Sequence, residues 1–229
     1  MDLLNATKFI IGLVFLCVGA YQDIKEREIS AILWLFMGIL ASVILFLINL
    51  NDIFYIVVFI LIFFLWFVDL KTYEKFVDFA FLIFLVLILI FTKEGLAFFL
   101  DGILMIVYKN FYNFGIIGGK ADARAIMAIT MLNPLYPELF TSFYANRELV
   151  SVIFPYSLEV LFYAVILNAI IFSLYLFIAN IKNGAELKMK KIFTHIYRGN
   201  EWIKYQTPFI FSLLLAFILS YVFDLFCFI

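Results

Sequence analysis

Ile117-Gly118-Gly119-Lys120-Ala121-Asp122-Ala123-Arg124 is a short polar stretch set between long apolar tracts. It places two glycines, one acid and two cations in a chain that is otherwise mostly hydrocarbon. A charge at membrane depth costs a few kcal/mol, about +2.5–3.5 on insertion scales, and marks a functional site by default. A second polar stretch, Tyr21-Gln22-Asp23-Ile24-Lys25-Glu26-Arg27-Glu28-Ile29, follows the first apolar run. Asp23 and Asp122 each stand at the same end of an apolar helix, which makes them candidates for a carboxylate pair.

Composition sets the class. The chain has 229 residues, of which 67% are hydrophobic and 14% charged, with a mean hydropathy of +1.13. Soluble domains carry about 25% charged and 45–50% apolar residues. Tracts such as 53–68 and 76–91 show no alternation, and they approach the ~20 residues needed to cross a bilayer. Period-two alternation, the mark of a membrane barrel, is absent. The expected fold is all-α: one polytopic membrane domain over 1–229, with spans near 3–21, 31–50, 53–69, 76–92, 95–114, 122–139, 157–180 and 207–228. A basic insert over 181–206, polar and carrying Asn183-Gly184, is expected on the cytoplasmic side.

The cations test that count. With the N-terminus outside, only Lys8, Lys93 and Arg147 of the sixteen Lys and Arg residues lie outside. That is the asymmetry of the positive-inside rule. Removing a span would move the cations of 182–204 to the wrong face. Asp2 ahead of the first apolar run, and the lack of a small-x-small site, argue against a cleaved signal peptide. Cys17 and Cys227 form no CxxC or Cys/His cluster, and His195 is alone, so no metal and no cofactor is expected. Nor is a nucleic-acid partner.

The span at 122–139 is unusual. Only Ala123–Leu132 separates Asp122 from Asn133-Pro134, roughly 15–18 Å of helix. Either Pro134 kinks a longer helix, or Asp122 is drawn below the membrane surface. The segment 133–156 holds three of the four prolines and reads as an outer loop or re-entrant piece. Thr207-Pro208 opens the last helix, with Thr suited to the N-cap and Pro to the first turn.

Two carboxyls at one depth can hydrolyse a peptide without a metal or a side-chain nucleophile. One takes a proton from water while the other donates to the scissile carbonyl. Asp2, Asp52 and Asp224 fall at the other ends of spans. Asp101 sits within an apolar tract, about 30 Å of helix from Asp122, and reads as a carboxylate near the outer interface. Asp69 and Asp78 read as members of juxtamembrane charge mixtures. Asp23 and Asp122 remain, with Gly118 and Gly119 as a helix break, Ala121 as a small neighbour, and Lys120 as a cation close enough to act on Asp122.

These two stretches together resemble the motifs of the type IV prepilin and preflagellin peptidases. That family has one aspartate in a D-x-x-x-R-E-I-like context, matched by Asp23 through Arg27-Glu28-Ile29. It has a second in a GxGD-like motif, matched by Gly119-Lys120-Ala121-Asp122. Phe154-Pro155-Tyr156, Asn168, Asn180, Gly184, Trp202 and Pro208 extend the likeness over most of the chain, and the archaeal branch fits best. The resemblance implies a membrane aspartyl endopeptidase of the plasma membrane, with its site facing the cytoplasm. Its implied partners are preflagellin- or pilin-like precursors bearing a short basic leader before an apolar helix. Lys120 stands where many members have a small residue, and 53–92 looks like an insertion. The cysteine-rich segment of N-methylating members is missing, so peptidase activity alone is expected. Two other readings stay open. One is an intramembrane protease like presenilin or signal peptide peptidase, although Gln22 and Ala121 depart from the Tyr-Asp and Gly-x-Gly-Asp of those enzymes. The other is a transporter with intramembrane acids, against which stands the lack of inverted repeats.

Overall fold

The structure, a computed structural model, describes residues 3–48, 53–68, 73–92, 96–137, 154–185, 191–198 and 201–222. Sequence readings that concern Asp2, Asp52, Asp69, Lys93, Arg147, Asp224 and Cys227 lie outside the described residues. Eight helices occur among those described: α1 (Leu3–Lys25), α2 (Ala31–Ile48), α3 (Ile53–Leu65), α4 (Glu74–Thr92), α5 (Leu96–Asn113), α6 (Lys120–Leu132), α7 (Tyr156–Lys182) and α8 (Phe209–Val222). Between α7 and α8 lies an antiparallel hairpin, β1 (His195–Arg198) with β2 (Glu201–Lys204). The molecule is therefore mostly helical, and the hairpin corrects the all-α expectation at the basic insert. Register pairs Tyr197 with Trp202 and Ile196 with Ile203, and such aromatic and β-branched cross-strand pairs favour a strand. Asn180 and Asn183 of the α7 end tie the hairpin down: Asn180 donates to the Ile192 and His195 carbonyls and accepts from the Tyr197 N–H, and Asn183 donates to the Tyr197 carbonyl.

α1 and α7 are long and apolar enough to cross a membrane; α2 and α8 are shorter apolar helices. α6 sits at the centre, in contact with α1, α2, α3, α5, α7 and α8. Every residue from Ala125 to Leu132 is buried, as expected of a helix enclosed on all sides. Its alanines at 123, 125 and 128 let the neighbours approach closely, the role small residues play between apolar helices. Glycines serve the same end elsewhere: Gly12 faces the Phe217 ring of α8, and Gly38 faces the Phe63 ring of α3.

α6 is short. It ends at Leu132, and Asn133 leaves the helical region with φ −133° and ψ 76°, since a residue before proline is pushed out of the α conformation. Of the two sequence expectations, Pro134 does not kink a longer helix. Thirteen residues give roughly 20 Å. Beyond that end lies a layer of buried polar side chains. The Tyr221 hydroxyl donates to Asn133 Oδ1 (3.1 Å), Tyr156 and Ser220 share a hydrogen bond (2.7 Å), and so do Tyr108 and Ser157 (3.0 Å).

Asp101 departs from its expected place at an interface. It is 1% exposed, and neither carboxyl oxygen has a hydrogen-bond partner among the described residues. The cause is helical spacing: Ala97, Phe98, Asp101, Met105 and Tyr108 share the inward face of α5. Asp78 is held by Lys109 at 2.7 Å, an ion pair between α4 and α5.

Candidate active site

α1 continues past the expected boundary at residue 21, so Asp23 lies in its last turn and is buried. The helix stops at a turn in which Arg27 takes φ 58°, the only non-glycine residue with positive φ among those described. That conformation costs an L-residue about 1–2 kcal/mol. Arg27 is held there by Tyr205, whose hydroxyl accepts from the guanidinium at 2.9 Å and whose ring lies 5.2 Å beneath it. Strained residues persist where their surroundings over-determine them, often at functional sites.

Asp122 is the third residue of α6, after the extended N-cap Gly119. A hydrogen bond joins the Gly119 backbone N–H to the Asp122 carboxyl. This is the return half of a capping box, in which an acid at the third helical position satisfies the free N–H of the cap residue. A side chain at the cap would displace the carboxyl: a Cβ on Gly119 would stand 2.7 Å from Asp122 Oδ2, whereas one on Gly118 would meet nothing within 4 Å.

Asp23 is held by a helix start as well, but not its own. The Ile210 N–H in the first turn of α8 donates to Asp23 Oδ2 at 3.0 Å, at the end of a helix dipole that attracts anions. That start is fixed from α7. Asn168 donates to the Thr207 hydroxyl (3.1 Å) and accepts from the Ser212 hydroxyl (3.2 Å). Thr207 thus serves through its contact with Asn168, and α8 begins at Phe209 rather than at 207.

The result is one cleft of about 350 Å³, lined by Asp23, Asp122, Gly118, Gly119 and Ala121 together with Arg27, Tyr205, Gln206 and Thr207. The two carboxyls interact electrostatically across it. Larger clefts along the hairpin contain no paired acids. Lys120 is exposed and does not line the cleft. Arg124 points elsewhere, its guanidinium 4.3 Å from the Phe67 ring centre and 5.6 Å from that of Trp66. Tyr205, Gln206 and the Ile210 N–H have no motif in the sequence. Their one signal is the polar run that stops abruptly at Pro208. Comparison of the chain with known protein families, with characterised proteins and with solved structures finds no match.

Proposed function

We propose that the protein is a membrane aspartyl endopeptidase that removes short basic leaders from preflagellin- or pilin-like precursors. The observation that carries this reading is the meeting of Asp23 and Asp122, from two helices distant in sequence, in one solvent-accessible cleft. In this reading the eight helices span the plasma membrane with the N-terminus outside and the cleft at the cytoplasmic face. Outward-facing Ile10, Val14 and Val18 of α1 and Val165, Ile170 and Leu174 of α7 support it, since exposed apolar patches on this scale suit a lipid contact.

The chemistry follows from the pair. Two carboxyls facing one cleft hold one proton between them, which belongs to the pair. The ionised member takes a proton from a water molecule as its oxygen bonds to the scissile carbonyl carbon. The protonated member gives its proton to the carbonyl oxygen. The resulting gem-diol collapses as the first carboxyl, now protonated, gives its proton to the peptide nitrogen and the second takes one from a gem-diol hydroxyl; the C–N bond breaks, and the leader leaves with a new carboxyl end. Backbone N–H groups from Gly119 and Ile210 hold the carboxyls for this, and pre-set donors cost no reorganisation at the moment of reaction.

The test is incubation of the purified full chain with a panel of leader-bearing precursors, with the new N-terminus read by mass spectrometry. Cleavage at the leader boundary supports the proposal. Cleavage inside the apolar helix supports an intramembrane protease instead, and no cleavage of any precursor defeats both.

A further inference from the structure

The hairpin has one closed edge and one open edge, and its register fixes which backbone groups point where. The Tyr205 N–H donates to the Thr194 carbonyl at 3.1 Å, which makes 194 and 205 a hydrogen-bonded pair one step beyond His195 and Lys204. In an antiparallel ladder such pairs alternate with pairs whose N–H and C=O groups point outward. Ile196–Ile203 and Arg198–Glu201 are therefore the bonded pairs, and His195–Lys204 and Tyr197–Trp202 the outward ones. The asparagines of α7 agree with that phase. Asn180 takes the His195 carbonyl and the Tyr197 N–H, and Asn183 takes the Tyr197 carbonyl. The outer edge of β1 is closed.

β2 has no such cover. The outward N–H and C=O groups of Trp202 and Lys204 have no hydrogen-bond partner among the described residues, nor do those of Gln206, the next position in the alternation. Gln206 lines the cleft with Asp23 and Asp122, and so do Tyr205 and Thr207 on either side of it. From Trp202 to Gln206 the chain covers roughly 13 Å at about 3.3 Å per residue. An open row of donors and acceptors thus runs along β2 into the lining of the cleft. The Tyr205 hydroxyl, held by Arg27 at 2.9 Å, pins the row where it enters.

An unpaired strand edge is a template for another strand. The chemistry of the cleft says which strand. A peptide bond inside a helix has its carbonyl hydrogen-bonded and is screened by the turns around it, so a precursor has to be extended where it is cut. Residues drawn out of its apolar helix lose their own backbone hydrogen bonds, and unpaired backbone groups at the edge of a membrane are costly. The open row supplies replacements beside the two carboxyls. We propose that the outer edge of β2, continued to Gln206, binds the precursor by strand addition, pairing with an extended stretch of its backbone at the leader boundary. This mode of capture presupposes the peptidase reading and says how the substrate lies in that site.

The experiment uses the full chain carrying Asp122→Asn, which holds substrate without consuming it, and a fluorescent precursor peptide that the unaltered chain cuts. Amide bonds flanking the scissile one are changed to esters one at a time, each change removing a single N–H without adding bulk, and binding is read by anisotropy. A paired strand turns alternate N–H groups toward β2. Esters at every second position should therefore weaken binding, and those between should not. One net hydrogen bond corresponds to roughly twofold to tenfold in affinity. On the protein side, Lys204→Pro removes an outward N–H and leaves the inner ladder intact, a placement that proline tolerates at a sheet edge. Lys204→Ala keeps that N–H. The proline variant should bind about fivefold more weakly than the alanine variant, at similar unfolding midpoints. If the proline variant fails to fold, the ester series decides alone, since it is run on the intact hairpin. Esters that are all tolerated, or all equally harmful, while the unaltered chain still cuts the peptide, overturn strand pairing and leave the peptidase reading standing. A failure to cut any precursor overturns both. A dimer in native mass spectra that Lys204→Pro dissolves, beside an ester series without alternation, gives the edge to a second copy of the chain and likewise overturns capture of the precursor.

Discussion

The two ends of α6 use similar residues to opposite effect. At its N-terminal end Asp23 and Asp122 line a cleft open to solvent, each held by one backbone N–H. At its C-terminal end Tyr221 and Asn133 form one buried hydrogen-bonded pair and Tyr156 and Ser220 another, with only Asn133 Nδ2 lacking a partner among the described residues. Buried polar groups that satisfy each other fix a structure; groups left with free valence beside water can react. Asp101 belongs to neither end. It is buried without a hydrogen bond among the described residues, and it does not line the cleft. On the proposed reading, burial of an acid is therefore no guide to reactivity; access and a second acid are.

The strongest way to break that contrast is to neutralise the acids one at a time. Asp23→Asn and Asp122→Asn should each lower kcat/KM for leader cleavage by about a hundredfold to ten-thousandfold, the range for loss of a positioned acid or base. Asp101→Asn should change it less than about threefold. The pH–rate profile of the unaltered chain should rise and fall, with two limbs that belong to the pair, and both limbs should stay in place in the Asp101→Asn variant. Substantial cleavage by Asp122→Asn, or a collapse of activity in Asp101→Asn, would reverse the roles given to the two regions.

A geometric test comes next. Gly119→Ala forces its new methyl against Asp122 Oδ2, and a displacement on the order of 1 Å costs up to about a hundredfold in rate. Gly118→Ala, with open space around it, should stay within about twofold. Equal losses in the two variants would show that the glycines serve the chain turn rather than the carboxyl.

Asn168→Ala should lower kcat by about tenfold with little change in KM, because Asn168 acts on Asp23 only through the start of α8. Tyr221→Phe is its counterpart at the sealed end. It removes the donor to Asn133 and should cost about 1–3 kcal/mol of stability, read as a lower unfolding midpoint, with cleavage by the folded fraction unchanged. The smallest effect is expected at Lys120. Its exposed side chain lies outside the cleft lining, so Lys120→Met should leave the acidic limb of the profile where it was; a moved limb would place the ammonium near the dyad after all.

Much of the helical layout is legible in the sequence because apolar tracts with few breaks admit one reading. The ends were harder to read. α1 runs through Asp23 to Lys25 because a polar last turn breaks no helical rule, and α6 stops at Leu132 because of Pro134. The hairpin is not legible because its strands are four residues each and mix polar and apolar residues on both faces, too short for alternation to stand out. Asp23 and Asp122 could be singled out as acids beside apolar tracts. Their holders could not: the bond from Ile210 joins residues 187 apart, and a main-chain donor leaves no trace in side-chain identity. For the same reason Lys120 drew attention as the adjacent cation, while Arg27 gained its place beside the cleft through Tyr205.

The contact between Ile210 and Asp23 also bears on when the protein becomes competent during its synthesis. Both aspartates emerge from the ribosome well before Thr207, and a nascent chain that ends there has each acid in its helix. It still lacks the α8 start that seats Asp23. If the proposed hydrolase reading holds, a site that closes only with the last described helix keeps the chain inert while its own unfolded segments are within reach.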